Sequence, residues 1–138
     1  MDRRRFLAGV GTAAATGLAG CLASGEPDLG PNEVGMTTRR FEPDRLTVAV
    51  GTTVTWHNTD RGVHTVTAYG DGIPEEADYF ASGGYDSEDA AREAWLENTG
   101  GGVQPDSTVE HTFEVSGTYS YVCLPHEQAG MVGTVVVE

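Results

Sequence analysis

The C-terminal stretch of the chain carries three side chains with metal-binding atoms at short spacing. They are Cys123, His126 and Met131, in the pattern Cys-x2-His-x4-Met. A tight loop between two strands would aim a thiolate, an imidazole and a thioether at one point. A second imidazole is available upstream at His64, just after a predicted strand. Two imidazoles and a thiolate in a plane, with a weak axial thioether, are typical of a blue-copper electron-transfer site.

The donor types favour copper over zinc. Thiolate and thioether are soft ligands that favour Cu(I), and imidazole binds both oxidation states of copper. Zinc sites use more Cys, His or carboxylate ligands and have little use for Met. The alternative is that a buried Cys, a surface His and a core Met lie at this spacing by chance, which is the weaker reading of four such residues. We therefore predict one copper ion bound by His64, Cys123, His126 and Met131.

Strands must position these side chains, and residues 36–138 show the period-two alternation of a β protein. Short strands separated by turn residues predict an all-β antiparallel sandwich. The alternating positions are Leu46, Val48 and Val50, then Val54 and Trp56, then Val109, His111, Phe113 and Val115, then Tyr119, Tyr121 and Cys123. Residues 131–137 form a closing apolar strand rich in β-branched side chains.

One long acidic segment, residues 69–104, interrupts the alternation. Residues 87–98 within it look helical, with Asp86 or Ser87 as N-cap and acidic residues in the first turn. Ala91, Ala94 and Trp95 offer a narrow apolar stripe, and we expect Trp95 to anchor the segment. We read this segment as a helical, acidic insertion laid over the sandwich, because so long a loop is uncommon unless it packs or functions.

Composition limits the classes of function. The chain has 138 residues with 21 acidic and 8 basic side chains, and its formal net charge is -13. This length suits one domain, and the negative charge argues against nucleic-acid binding. Two Cys exclude a four-Cys zinc site. All the basic residues counted are Arg, and a Lys-free acidic surface fits a protein that stays hydrated in high salt.

The N-terminal residues predict a signal peptide for export. The sequence from Arg3 to Leu7 resembles the twin-arginine signal, and a short Ala- and Gly-rich stretch follows. The residues before Cys21 resemble a lipobox, in which cleavage precedes the Cys and its sulfur is lipidated. The alternative is a disordered N-terminus with a chance Cys. We predict a signal peptide over residues 1–20, a flexible tether with lipidated Cys21 over 21–35, and a copper domain over 36–138.

Several further motifs carry a resemblance to a known family. Phe41-Glu42-Pro43 and the strand pattern up to Asn58 precede the first His, Gly117-Thr118-Tyr119 precedes the Cys, and residues 131–135 read Met-Val-Gly-Thr-Val. The chain resembles the small blue-copper (cupredoxin) family and is plastocyanin-like, most similar to the halocyanins of salt-loving archaea. The resemblance implies a Greek-key sandwich of about eight strands with copper near one end. It also implies that His126 lies in an apolar surface patch with Leu124, Pro125 and Ala129, where electrons enter and leave.

The sequence departs from plastocyanins beside the ligands. Thr65 stands where they have Asn, and Val122 stands where plant proteins have an exposed Tyr used in docking. Since Pro125 lacks an N–H group, we expect the Cys123 sulfur to accept one backbone hydrogen bond, from Thr65. The other histidines are expected to be ordinary: His57 on the surface and His111 packed or at a strand end. Glu127 and Gln128 are expected to be solvated.

The predicted function is a lipid-anchored carrier of single electrons on the outer face of the cytoplasmic membrane. Its partners would be a membrane respiratory complex and a terminal oxidase or reductase, docking near His126 on a monomer. The alternative is an exported copper-binding or carrier protein without a redox role. An enzyme is not expected, because enzymes of this fold add a second metal with more His than His57 and His111 supply.

Overall fold

The computed structural model describes residues 29–138. They form eight strands, one α-helix and two 3-10 turns. The strands are β1 (Glu33–Met36), β2 (Phe41–Glu42), β3 (Arg45–Val48), β4 (Thr52–Asn58), β5 (Thr67–Ala68), β6 (Thr108–Phe113), β7 (Gly117–Val122) and β8 (Val132–Val137). The helix, α1, is Glu88–Asn98, and the 3-10 turns are Gly70–Gly72 and Leu124–Ala129.

The strands make two four-stranded sheets, in the orders β2-β1-β4-β6 and β3-β8-β7-β5. β1 runs parallel to β4 and β3 runs parallel to β8, while the other neighbours are antiparallel. The two sheets bury a shared apolar core between them, as expected for a sandwich. This architecture confirms the predicted all-β sandwich with a helical insertion. The sheets are mixed and not wholly antiparallel as expected, because the two parallel pairings join strands that are not consecutive in the sequence.

Aromatic side chains fill the core, and the alternation read from the sequence places most of them. Trp56 is 1% exposed and meets Tyr121 edge to face, with ring centroids 5.4 Å apart. Phe113 and Tyr119 make a similar pair at 4.8 Å. Such pairs add specific ring contacts to the burial of large apolar surfaces, so the core fixes how the strands stack.

The folded domain begins earlier than predicted. β1 lies within residues that we expected to be tether or domain boundary, and it pairs with β4 from Glu33 to Met36. Val34 and Met36 are fully buried. Two apolar positions are too few to reveal a strand by periodicity, and the pairing with β4 is long-range, so the sequence did not indicate it. The predicted signal peptide and lipidated Cys21 lie outside the described residues.

The helix of the insertion starts where its sequence predicts. Ser87 is the N-cap, and its Oγ accepts a 3.1 Å hydrogen bond from the amide of Ala90. Trp95 was expected to anchor the insertion, and this is corrected: Ala91 is the buried residue of α1, whereas Trp95 is only partly buried. The insertion also contributes Phe80 to the core, where it is 6% exposed. It is therefore part of the sandwich's packing as well as a layer over it.

Three chain segments that carry predicted ligands meet at one end of the sandwich. β4 ends shortly before His64, β7 ends one residue before Cys123, and β8 begins one residue after Met131. Val122 pairs with Val132 across β7 and β8, so the two ends of the loop that carries Cys123, His126 and Met131 lie next to each other. Among residues 29–138 we find no helix long and apolar enough to cross a bilayer.

Candidate metal centre

The loop that carries His64 is fixed by backbone and side-chain hydrogen bonds. His64 and Val103 exchange two backbone hydrogen bonds, of 3.3 and 2.7 Å. The side-chain amide of Asn58, at the end of β4, donates to the carbonyl oxygens of Gly62 and Val103, each at 2.8 Å. His64 is completely buried. Its imidazole is therefore held in place by the end of the insertion as well as by its own loop.

The second loop folds tightly on itself between β7 and β8. The Cys123 amide donates to the Met131 carbonyl oxygen at 3.0 Å, and the Met131 amide donates to the His126 carbonyl oxygen at 3.2 Å. Gly130 closes the turn with φ of 85°, a left-handed conformation that glycine adopts without strain. These bonds bring the three residues of the Cys-x2-His-x4-Met pattern side by side.

Three donor atoms converge at this end of the molecule. The Cys123 sulfur lies 3.4 Å from Nδ1 of His64 and 3.3 Å from Nδ1 of His126. All three atoms lie within 4.8 Å of one another. Ligand atoms about 2.0 and 2.3 Å from one metal ion lie roughly 3.5 to 3.8 Å apart at tetrahedral to trigonal angles, so the two sulfur-to-nitrogen distances need only a small expansion to hold one ion. The donor set of two imidazoles and a thiolate fits copper.

Met131 lies beside this group and is completely buried. Its backbone is bonded to both Cys123 and His126, as described above. The convergence of donor atoms itself involves His64, Cys123 and His126. The role of the Met131 sulfur as the fourth ligand stays a prediction.

The Cys123 thiol is buried, and burial raises its pKa to about 11 because the thiolate loses its hydration. The Thr65 amide opposes this shift by donating to the sulfur at 3.4 Å, as predicted. A weaker contribution comes from the amide of His126, whose hydrogen bond goes to the Cys123 carbonyl oxygen at 3.1 Å. Without a metal ion the side chain is a thiol at neutral pH, and binding a metal must displace its proton.

Thr65 also joins the two ligand loops through its side chain. Its Oγ1 accepts a 2.9 Å hydrogen bond from the amide of Leu124, directly after Cys123. The same oxygen lies 3.0 Å from the hydroxyl of Thr67. The residue that departs from the plastocyanin pattern thus holds the Cys loop against the His64 loop.

Asp60 was not predicted from the sequence as a residue of the site, and it lies behind His64. One carboxylate oxygen of Asp60 is 3.0 Å from Nε2 of His64, on the ring nitrogen opposite the sulfur. Hydrogen bonds from the backbone of Arg61, and then from His64, hold the pKa of Asp60 below its usual value. The available signal was an Asp four residues before a predicted ligand, which is common by chance.

Glu127 was expected to be solvated, and the structure corrects this. The guanidinium of Arg92 on α1 donates to both of its carboxylate oxygens, at 2.8 and 3.0 Å, and Tyr69 donates to it at 3.1 Å. The hydrogen bond from Arg92, and to a smaller extent that from Tyr69, holds the pKa of Glu127 below its usual range. Arg92 also donates to Glu88, at 2.8 Å. The insertion is therefore hydrogen-bonded to the ligand loop at the residue directly after His126.

The two remaining histidines lie away from the centre. His57 is partly exposed and lies 3.2 Å from a carboxylate oxygen of Glu33. His111 stacks on Phe80 with ring centroids 4.4 Å apart, which confirms the expectation of a packed side chain. Burial lowers the pKa of His111, so it is neutral at pH 7.

Comparison with known proteins decides the family. Residues 31–138 match the family model described as "Copper binding proteins, plastocyanin/azurin family". The chain belongs to this family. A halocyanin from Natronomonas pharaonis is 32% identical, with 100% of this chain and 98% of the relative covered. A plastocyanin from Scenedesmus fuscus is 33% identical over 71% of this chain and 86% of its own length.

Solved cupredoxin structures share the fold. The Cu(I) form of an amicyanin mutant aligns with a TM-score of 0.56 and 29% identity, over 83% of this chain and 88% of the other. A purple cupredoxin from Nitrosopumilus maritimus aligns with a TM-score of 0.55, over 77% of this chain and 98% of the other, and its 24% identity supports the fold alone. This chain is thus a cupredoxin in which His64, Cys123 and His126 are placed to bind one copper ion. Its family is one of electron carriers rather than enzymes.

Proposed function

We propose that this cupredoxin is a type 1 (blue) copper protein that carries single electrons between respiratory partners while anchored to the outer face of the cytoplasmic membrane. The observation that carries the proposal is the convergence of two imidazole nitrogens and one buried thiol sulfur. In this proposal Met131 would supply a thioether as a fourth, weaker ligand, which is supported by its complete burial beside Cys123 and His126.

The protein's own residues hold the site rigid and exclude water from it. Copper, when bound, supplies the one-electron Cu(I)/Cu(II) couple. Burial of His64, Cys123 and Met131 keeps solvent away, and the hydrogen bonds of both loops oppose rearrangement when the charge changes. His126 is the partly exposed member of the group, so it is the shortest route for an electron to leave the protein.

Partners would dock on apolar surface next to His126. Leu124 and Pro125 precede it in the ligand loop and are partly exposed, and Ala129 is exposed, which supports the predicted patch. Trp95 and Leu96 of α1 extend this surface, since they line with Leu124 a shallow hollow of about 220 Å³, whose remaining wall is the Arg92–Glu127 ion pair. Leu96 is 83% exposed, and apolar side chains exposed next to one another mark an interaction surface. We call Leu124, Trp95 and Leu96 the docking patch.

The decisive experiment is the visible and electron-spin-resonance spectrum of the purified protein with one equivalent of Cu(II). We expect an intense blue thiolate-to-copper band and a reversible one-electron wave, both lost in Cys123→Ser. Met131→Leu should stay blue with a raised reduction potential, because the proposed thioether ligand would be lost while the three other ligands remain. A parent protein that folds but stays colourless would overturn the proposal.

Membrane attachment is tested separately, because it depends on Cys21 and leaves the copper site unchanged. In cells that make the full chain, we expect the protein in the membrane fraction, with a lipid-sized mass increase on Cys21. Cys21→Ser should release a blue protein to the soluble fraction. Recovery of the parent protein without lipid in the soluble fraction would remove the anchor and leave the electron carrier.

The alternative is a copper carrier without redox duty, which would use the same ligands. It predicts ready release of copper to a competing chelator, whereas the interlocked loops around Thr65 favour slow release. Chelator competition together with voltammetry separates the two functions.

A further inference from the structure

We propose that Asp60 is a positioning residue of the copper centre: its carboxylate fixes the orientation and tautomer of His64 and lowers the reduction potential. This inference rests on the proposed copper function and adds a residue to it. Asp60 acts through His64, since its carboxylate meets the ring on the side away from the Cys123 sulfur.

The hydrogen bond determines which ring nitrogen carries the proton. An ionised carboxylate can only accept, so the 3.0 Å contact with Asp60 requires the proton to be on Nε2 of His64. Nδ1 then keeps its lone pair, and it is the nitrogen that lies 3.4 Å from the Cys123 sulfur. The ring is completely buried, so with Asp60 in place its Nε2 donates to the carboxylate and not to water.

Asp60 is itself held in place. Its amide donates to the side-chain oxygen of Asn58 at 2.9 Å, and Asn58 is tied by its other end to Gly62 and Val103. Its side chain is 21% exposed, so it lies at the edge of the buried site. Two hydrogen bonds, between Asn58 and Asp60 and between Asp60 and His64, thus connect the end of β4 to the predicted metal position.

A carboxylate behind a ligating His raises the basicity of the ring and orients it. Its negative charge also stabilises the more positive oxidation state, Cu(II), over Cu(I). Partial exposure to water weakens this charge effect. Removal of Asp60 should therefore weaken Cu(II) binding more than Cu(I) binding and raise the potential.

The test compares Asp60→Ala and Asp60→Asn with Glu114→Gln, which removes a charge from an exposed residue beyond the far end of β6. For Asp60→Ala we expect the Cu(II)-to-Cu(I) affinity ratio to fall about tenfold, if the lower end of the usual loss of metal affinity for such residues falls on Cu(II), and this equals a rise of about 59 mV. Asp60→Asn should give a smaller rise, because its amide oxygen still accepts from Nε2. Glu114→Gln should leave the potential unchanged.

A second measurement needs no copper. Nitrogen-15 NMR of the metal-free protein should show the proton of His64 on Nε2, and in Asp60→Ala it should show both tautomers. If Asp60→Ala does not fold, Asp60→Asn decides the question by its potential alone.

Three results would overturn the inference: unchanged potentials in both Asp60 variants, a proton on Nδ1 in the parent protein, or an equal rise in Glu114→Gln. Any of these with a blue parent protein leaves the proposed electron carrier intact. A colourless parent protein with the Nε2 tautomer present would instead refute the copper function.

Discussion

At the scale of single residues, Thr65 makes two hydrogen bonds that hold the ligand loop. Its amide bonds the Cys123 sulfur, and its hydroxyl accepts from the Leu124 amide. Thr65→Val keeps the shape and the amide but leaves the Leu124 N–H group without this acceptor. We expect the free energy of unfolding to fall by about 1 to 2 kcal/mol, measured by chemical denaturation of the metal-free protein.

Thr65→Ser is the matched control, because it keeps the hydroxyl and loses only a methyl group. It should lose less stability than Thr65→Val. A larger loss in Thr65→Ser than in Thr65→Val would mean that packing of the methyl group, rather than the hydrogen bond, is what Thr65 contributes.

Pro125 limits the hydrogen bonds available to the Cys123 sulfur, since it has no N–H group of its own. Pro125→Ala provides one additional donor in the ligand loop. A further hydrogen bond disperses charge on the sulfur and favours Cu(I), so we expect the reduction potential to rise. Voltammetry that finds no change or a fall, with the blue spectrum retained, would contradict this explanation.

At the scale of elements, the ion pair between α1 and the ligand loop is the feature that deserves a test. Arg92→Gln removes the bidentate bond to Glu127. Because both side chains are about one-third exposed, we expect a loss of only about 1 kcal/mol. The larger effect should be local: faster amide hydrogen exchange in residues 124–129 and faster release of copper to a chelator.

Arg45→Gln is the control for this prediction, because Arg45 is an exposed arginine on β3. It should change neither the exchange of the ligand loop nor copper release. If Arg92→Gln behaves like Arg45→Gln, the insertion packs against the ligand loop without stiffening it.

The docking patch joins the same two elements, and a charge in it should impair docking. Leu124→Glu is expected to slow electron self-exchange by about tenfold, equivalent to 1.4 kcal/mol of docking free energy. NMR line broadening in mixed Cu(I) and Cu(II) protein at molar salt measures this rate. Val50→Glu is the matched control, since Val50 is 47% exposed and bonded to the end of β8 far from Met131. Equal rates in the two variants would place the exchange surface elsewhere.

At the scale of the whole molecule, charge dominates. With 21 acidic and 8 basic side chains the net charge is -13, and self-repulsion destabilises a compact acidic chain. Salt screens this repulsion, over about 10 Å at 0.1 M and about 3 Å at 1 M. We therefore expect the melting temperature of the metal-free protein to rise steadily between these concentrations of sodium chloride. A flat or falling melting temperature would argue against a surface adapted to salt.

The sequence by itself determined the chemistry of the centre and most of the sandwich. Cys123, His126 and Met131 lie within one short loop, so their spacing alone predicts that they converge, and the alternation in β4, β6 and β7 is a local property of the chain. The helix cap at Ser87 is local as well. Patterns of this kind are visible because residues a few positions apart fix them.

Only the tertiary structure decided what joins distant segments. β1 is recognised as a strand only because it pairs with β4, and Phe80 of the insertion is buried in the core. The bonds of Asp60 to His64, of Thr65 to Leu124 and of Arg92 to Glu127 depend on side-chain directions at loops whose relative position the whole sandwich sets. A single sequence records which side chains can bond, whereas the packing of the two sheets determines which of them meet.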